Sequence, residues 1–501
     1  MTIRFVVRAA WISLLILPVA GSAWAQDLPC ETDFDVLAAT TMRNYVGYPI
    51  EVSGRRDAEY AEMITRVRGS ARLASSTAAC IEALREYTDW FDDPHLFVTE
   101  FPRYSEEQLA VFRADAERHP LAREAVLARL ADGDSLDPIE GVWYDEAGEI
   151  AVVRDSAVGS NRFLGVVLSS TSDAWEPGDV KARIRRVGPN EYRLVLRMDD
   201  RSPRHVEGAI HKGGLLFRFA PHAWGRRAPI GPHDAGLLHP TDPRAPTLTF
   251  AESGAPVISI PSHDPKYQVA LDSLLQAHAA DLQRSRMLVV DLRGNEGGGA
   301  RTTNGLEPYY WSPSGEAPPK PVGPPVVLAS PANLEAFQRW TEWYDPVPAW
   351  LSALLRDLEE RTGEIVSYDP SDGDNAPAAD PPVVHENPRH VAILIDGGVV
   401  SAGEAFVLKA RRHDRVTVYG QPTAGSIDYQ NVQLLPLASR GRGFFLGYPT
   451  QAATRNLPQD GINRTGVEPD VPMAEDVEDP IGFILCCGTP AAGRTHGSGA
   501  R

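Results

Sequence analysis

The chain has 501 residues, enough for roughly two to three domains of ordinary size. Hydrophobic residues make up 43% and charged residues 23%, which excludes a disordered or fibrous protein. The formal charge of −18, from 49 basic and 67 acidic residues, argues against nucleic acid as a partner, because a duplex-binding surface carries a basic excess.

Residues 1–25 read as a secretory signal. Arg4 and Arg8 precede the mostly apolar run Ala9 to Ala20, and Ala23-Trp24-Ala25 has the small-x-small form of a cleavage site before Gln26. The expectation is an exported protein, periplasmic or secreted. It has no stable membrane span, since no later apolar run reaches about 18 residues. Leu28-Pro29-Cys30 resembles a lipoprotein acylation site only loosely, because its spacing and small residues are wrong. Export permits disulfides: Cys30 and Cys80 are either bridged or two buried thiols. Cys486-Cys487 are adjacent, and vicinal bridges are rare, so their role reads as structural.

In chain order, Asp57 to Phe91 carries apolar residues near three-and-four spacing, which predicts helix. A turn, Asp92-Asp93-Pro94-His95, leads into a strand-like run, and a second helical stretch from Ser105 to Leu130 breaks at His119-Pro120. Six short strand-like runs follow, at 141–144, 150–153, 163–168, 180–187, 192–198 and 215–219, and predict a small antiparallel barrel or sandwich. Pro-rich sequence from Ala228 to Pro246 reads as the linker out of it. Beyond Thr247 strands and helices alternate: strand 257–260, helix 266–284, the fully apolar strand Met287 to Leu292, a helix-rich stretch 333–362, then strand 391–395, helix 402–412 and further strands at 416–419, 432–437 and 443–448. The expected organisation is therefore a helical region 26–135, a β-rich module 136–246, an α/β catalytic half 247–480 and a tail 481–501.

Two segments carry the chemistry. In Val289-Val290-Asp291-Leu292-Arg293-Gly294-Asn295-Glu296-Gly297-Gly298-Gly299 an apolar strand runs into consecutive glycines, whose N–H groups can face a ligand without Cβ interference. That suits an anion cradle or an oxyanion hole, and neither a phosphate-loop nor a dinucleotide pattern is present. In Ile393-Leu394-Ile395-Asp396-Gly397-Gly398-Val399-Val400-Ser401-Ala402-Gly403-Glu404 a strand and diglycine turn place Ser401 at the start of an apolar helix. Ser is a preferred N-cap, and a nucleophile there also gains from the helix dipole. The surroundings are not GxSxG, so this is not a nucleophile elbow.

DLRGNEGG at 291–298, SAGE at 401–404, GQPTAGS at 420–426 and GVEPDVP at 466–472 occur in order and at sensible spacing. Together they resemble the tail-specific (carboxy-terminal processing) serine peptidases, a group that includes the tricorn core protease. The resemblance covers about residues 250 to 475 plus Asp92-Asp93-Pro94-His95. It implies a catalytic half of crotonase- or Clp-like type that cleaves peptide bonds through an acyl-enzyme, with peptide or protein as substrate and no cofactor or metal. Ser401 would be the nucleophile, and the N–H groups of Ala402 and of Gly297 or Gly298 the oxyanion hole. One branch of the family uses a lysine where this chain has Ser426, and no lysine follows Lys409. The tricorn-like branch uses an N-terminal histidine as base, matched here by His95. The carboxylate that usually supports it aligns with Asn463; Asp460, three residues earlier, and Asp428 in the neighbouring loop are the other candidates, and Ser426 in that loop is a further supporting residue. The alternatives are a catalytically decayed binding module of the same fold, and an esterase.

Overall fold

The computed structural model describes residues 28–132, 136–219, 222–312, 324–369, 384–439, 441–453, 457–463 and 465–487. The signal-like segment 1–25 lies outside these. The described residues open with the α-helices α1 (Cys30–Asn44), α2 (Asp57–Leu73) and α3 (Thr77–Asp89). The continuous periodicity of 57–91 is broken at Ser76, which caps α3 by accepting the Ala79 N–H. Cys30 and Cys80 are bridged, tying α1 to α3. Strand β1 (Phe97–Glu100) follows, then α4 (Glu106–Ala114) and α5 (Arg123–Ala131).

The β-rich stretch closes into an eight-stranded antiparallel barrel: β2 (Gly141–Asp145), β3 (Gly148–Arg154), β4 (Arg162–Ser170), β5 (Val180–Arg186), β6 (Glu191–Arg197), β7 (Pro203–His211), β8 (Leu216–Phe219) and β9 (His222–Ala228). Its interior is filled by Trp143, Ile150, Val152, Phe163, Tyr192, Phe217 and Trp224. Ala151, Val153, Leu164 and Val166 face outward beneath Val126 of α5, which explains why β3 and β4 read as unbroken apolar runs. Two strands escaped the sequence pattern. β7 has few apolar residues, and β9 carries Arg226 and Arg227; both exist because they close the ring, β7 between β6 and β8 and β9 onto β2.

The second half contributes β10 (Thr247–Phe250), β11 (Pro256–Ser259), α6 (Gln268–Ala277), α7 (Ala279–Arg284), β12 (Met287–Asp291), α8 (Glu307–Tyr310), β13 (Val326–Leu328), α9 (Pro331–Gln338), α10 (Ala349–Glu360), β14 (Ile365–Ser367), β15 (His390–Ile395), α11 (Ala402–Ala410), β16 (Val416–Gly420), β17 (Tyr429–Pro436), β18 (Phe444–Ala452), β19 (Val471–Pro472) and α12 (Pro480–Cys487). A six-stranded sheet runs β10-β11-β12-β15-β16-β19, parallel except for β10. Its central strands are buried on both faces: Leu288, Val290 and Ile393 enter one core, Val289, Ala392 and Leu394 another. A five-stranded sheet has the order β1-β18-β13-β14, with β17 also paired to β18. The N-terminal helices share one core with it, where Phe34, Leu37 and Tyr87 meet Phe444, Leu446 and Tyr448. Trp350 is buried, whereas Trp343 is exposed. No helix among the described residues is long and apolar enough to cross a membrane.

Candidate active site

The parallel register decides where the motifs meet. Asp291 pairs with Leu394 and Ile395 with Gly420, so β12, β15 and β16 end side by side. The loops that leave them, 292–299, 396–401 and 421–428, emerge together at the carboxyl edge of the sheet, the usual location of sites in such folds. β19, which carries the last motif, pairs with β16.

Ser401 lies at the N-terminus of α11 with φ 52° and ψ −113°, a left-handed conformation costly for a residue with a side chain. The surroundings that impose it are specific. The Ser401 N–H is donated both to Ser426 Oγ (2.7 Å) and to Glu404 Oε2 (3.1 Å), and the Val400 N–H goes to the Asn295 carbonyl (3.0 Å). Gly297 sits so close that a Cβ on it would lie 2.9 Å from the Ser401 Cβ.

The glycine loop is held open by Asn295 and His263, both buried. Asn295 Oδ1 accepts the Gly297 N–H (2.9 Å), so this N–H, one of those expected for an oxyanion hole, already has a partner. Gly298 differs. Its neighbours pair with His263 through His263 N–H to Gly297 O and Gly299 N–H to His263 O, each 2.8 Å, which turns the Gly298 N–H to the opposite side. The N–H groups of Gly298 and Ala402 have no hydrogen-bond partner among the described residues. Burial pushes His263, also bonded to Asn295, down to about 4, so it is neutral.

Glu404 carries no role in the motif reading, yet its buried carboxylate organises the whole loop. It accepts from Ser401 N–H, Ser426 N–H (2.8 Å), Ser426 Oγ (2.7 Å), Gly425 N–H (2.8 Å) and Thr423 Oγ1 (2.5 Å). The signal was present: Ser401-x-x-Glu404 has the form of a capping box.

His95 sits on the turn before β1. Its Nδ1 contacts the Tyr429 carbonyl at 2.6 Å and its backbone N–H is donated to Asp93 Oδ1 at 3.0 Å. A carbonyl can only accept, so Nδ1 carries the proton and Nε2 holds the lone pair. Burial lowers the His95 pKa, partly offset by the Tyr429 bond and the Glu404 charge. No hydrogen bond joins His95 to Ser401. Asp93, buried, is pushed up to about 7 and also accepts from the Tyr45 hydroxyl (2.9 Å).

The candidate third members pair with one another. Asp428 Oδ2 accepts the N–H groups of Ile462 (2.6 Å) and Asn463 (2.8 Å), and Asn463 Oδ1 accepts the Asp428 N–H (3.1 Å). Asn463 Nδ2 is buried without a hydrogen-bond partner among the described residues. Ser426 is bound to Ser401 and Glu404. Lys409 is engaged with Glu307 at 3.1 Å on the flank of α11.

Residues 351–473, which include Ser401, Glu404 and the 420–426 loop, match peptidase family S41. Among solved structures, mature CPAF complexed with lactacystin aligns at 14% identity over 88% of this chain and 94% of that one, with a TM-score of 0.45. The photosystem II D1 C-terminal processing protease aligns at 14% identity over 90% and 94% (TM-score 0.33), and the tricorn protease at 12% over 89% and 34% (TM-score 0.35). No curated protein sequence matches the chain.

Proposed function

We propose that this chain is an exported serine peptidase that cleaves peptide bonds through an acyl-enzyme on Ser401. The observation that carries the reading is the strained Ser401 at a helix N-terminus, with the unpartnered N–H groups of Gly298 and Ala402 on the two loops that meet there. In this reading Ser401 Oγ attacks the scissile carbonyl while His95 Nε2 takes its proton, and the Gly298 and Ala402 N–H groups receive the developing oxyanion. His95 returns the proton to the leaving amine, and water then releases the acyl group by the reverse sequence. The Tyr429 carbonyl orients the imidazole, a task a carboxylate performs in the usual triad. A carbonyl fixes the tautomer but stabilises the imidazolium less.

The tricorn-like mode of activation and the crotonase- or Clp-like kinship of the catalytic half belong to the same proposal. Substrate would enter as an extended strand. β17 pairs only with β18 among the described residues, and it starts at Tyr429, whose carbonyl holds His95; a peptide added to its open edge would lead toward Ser401. Among the described residues no carboxylate is hydrogen-bonded to His95 Nδ1, which favours, as the second reading, a binding module of the same fold with decayed catalysis.

The test is digestion of a mixed peptide library by the mature protein beside Ser401→Ala, read by mass spectrometry. Cleavage that disappears in the variant supports the peptidase and reports its side-chain preference. Cleavage retained by the variant removes Ser401 from the mechanism, and none by either protein favours the binding module.

A further inference from the structure

The barrel contributes more than a neighbouring surface. Gly294 and Gly398 stand at matching places in the two loops, each four residues before an unpartnered N–H, Gly298 in one and Ala402 in the other. Both glycines are gripped at both of their backbone polar groups by the same pair of side chains. Asp396 Oδ1 accepts the N–H of Gly294 (2.8 Å) and of Gly398 (2.9 Å). Arg218, on barrel strand β8, donates Nη1 to the carbonyls of Gly398 (2.5 Å) and Gly294 (3.4 Å).

The barrel hairpin that carries Arg218 is locked against the sheet. Asp396 Oδ2 accepts the Lys212 N–H (2.9 Å). Lys212, fully buried and at φ 57°, places Nζ on Asp291 Oδ2 (2.5 Å) and Ser259 Oγ (2.9 Å), at the ends of β12 and β11. Burial alone would raise the Asp291 carboxyl, but Arg293 and Lys212 overcome it and hold it well below the usual carboxylate range. The steric fit is equally close: a Cβ on Gly398 would lie 2.6 Å from His211 Nδ1, and one on Gly294 2.9 Å from Leu216 Cδ2. A spacer module tethered by a linker would need none of these contacts.

We propose that the barrel is a working part of the active site, with Arg218 and Asp396 as positioning residues that hold the two oxyanion donors in register. This rests on the assignment of Ser401, Gly298 and Ala402 above. An oxyanion hole depends on donors preorganised before charge develops, and loss of one donor typically lowers turnover about 10²–10³-fold. Arg218 acts through two backbone carbonyls, so its removal should change kcat far more than KM.

The test compares wild type, Arg218→Met and Arg218→Lys by peptide kinetics and by amide hydrogen exchange of the full mature chain. In Arg218→Met, kcat should fall at least 30-fold with KM within about threefold, and Arg218→Lys should recover part of the loss. Exchange in 294–299 and 397–402 should accelerate together by at least tenfold while strands β3 to β6 stay protected. Unchanged exchange in either loop, or loosening throughout the barrel, overturns the proposal. The exchange measurement reads the clamp whether or not the protein turns over peptides. Failure of the Ser401 assignment would instead show as no wild-type turnover with the loops still coupled to Arg218.

Discussion

Glu404 accepts the backbone N–H of Ser401 at 3.1 Å from one helical turn further along. The same carboxylate holds Thr423, Gly425 and Ser426, so it joins the helix that bears the serine to the loop after β16. The left-handed Ser401 is sustained by this convergence, because strained backbone persists only where its neighbours over-determine it.

Glu404→Gln is the direct test of that role. Gln keeps the shape but turns an NH₂ group toward donors that need acceptors, leaving at least one buried donor unsatisfied at a cost of about 1–3 kcal/mol. The expected result is an unfolding free energy from urea titration lowered by that amount, together with turnover reduced at least tenfold. Wild-type stability in Glu404→Gln would show that the carboxylate network is dispensable.

His95→Ala should lower turnover by several orders of magnitude, by analogy with loss of a triad base; a loss below tenfold would remove His95 from the site. The sign of the pH dependence follows from burial. Because the folded-state pKa of His95 lies below its ordinary value of about 6.5, the ring is neutral at pH 7 and turnover should rise with pH through a midpoint below 6.5, then level off. Asp93 has the opposite effect on stability. With a folded pKa of about 7 it holds a proton the unfolded chain releases, so its contribution to stability falls as pH rises from about 4 to 7. Asp93→Asn should gain on wild type across that window in denaturant titrations and show a constant difference above it.

Gly297→Ala places a methyl 2.9 Å from the Ser401 Cβ and 2.9 Å from the Val400 carbonyl, at φ 74°. Backbone has to move, and overpacking of this kind costs about 1–3 kcal/mol. Thermal unfolding should register that loss, and peptide turnover should fall more steeply than stability because the displaced atom belongs to the nucleophile.

Asn463→Asp distinguishes a carbonyl-oriented histidine from a missing triad acid. The new carboxylate would lie beside Asp428, whose own oxygen already accepts the residue 463 N–H at 2.8 Å. Two carboxylates at one site repel and push a pKa up, so the expected outcome is lower stability at neutral pH than at pH 5 and no gain in turnover. A gain of tenfold or more would mean that residue 463 reaches His95, against the Tyr429 assignment.

How much of this was legible in the sequence depends on the range of the interaction. Each loop motif is a local statement. An apolar strand followed by glycines predicts a tight turn with accessible N–H groups, and Ser401 before an apolar helix predicts a helix start; β12, β15 and α11 appear within a residue or two of those expectations. Six of the eight barrel strands were equally visible, since alternating or continuous apolar runs follow from burial of one or both faces. The strands that stayed hidden, β7 and β9, are defined by what they pair with.

Which groups meet is a matter of long-range packing. His95 and the Tyr429 carbonyl are separated by 334 positions, and Lys212 and Asp396 by 184; no local pattern specifies such contacts. The Gly297 and Gly298 N–H groups looked equivalent in the sequence, yet one is donated to Asn295 and the other is not, because a bridge to His263 alternates the direction of the backbone between them. Backbone sterics and short-range periodicity suffice to set the strand-and-glycine loops and the serine at its helix start. The parallel register of three strands and the closure of the barrel decided which atoms face one another.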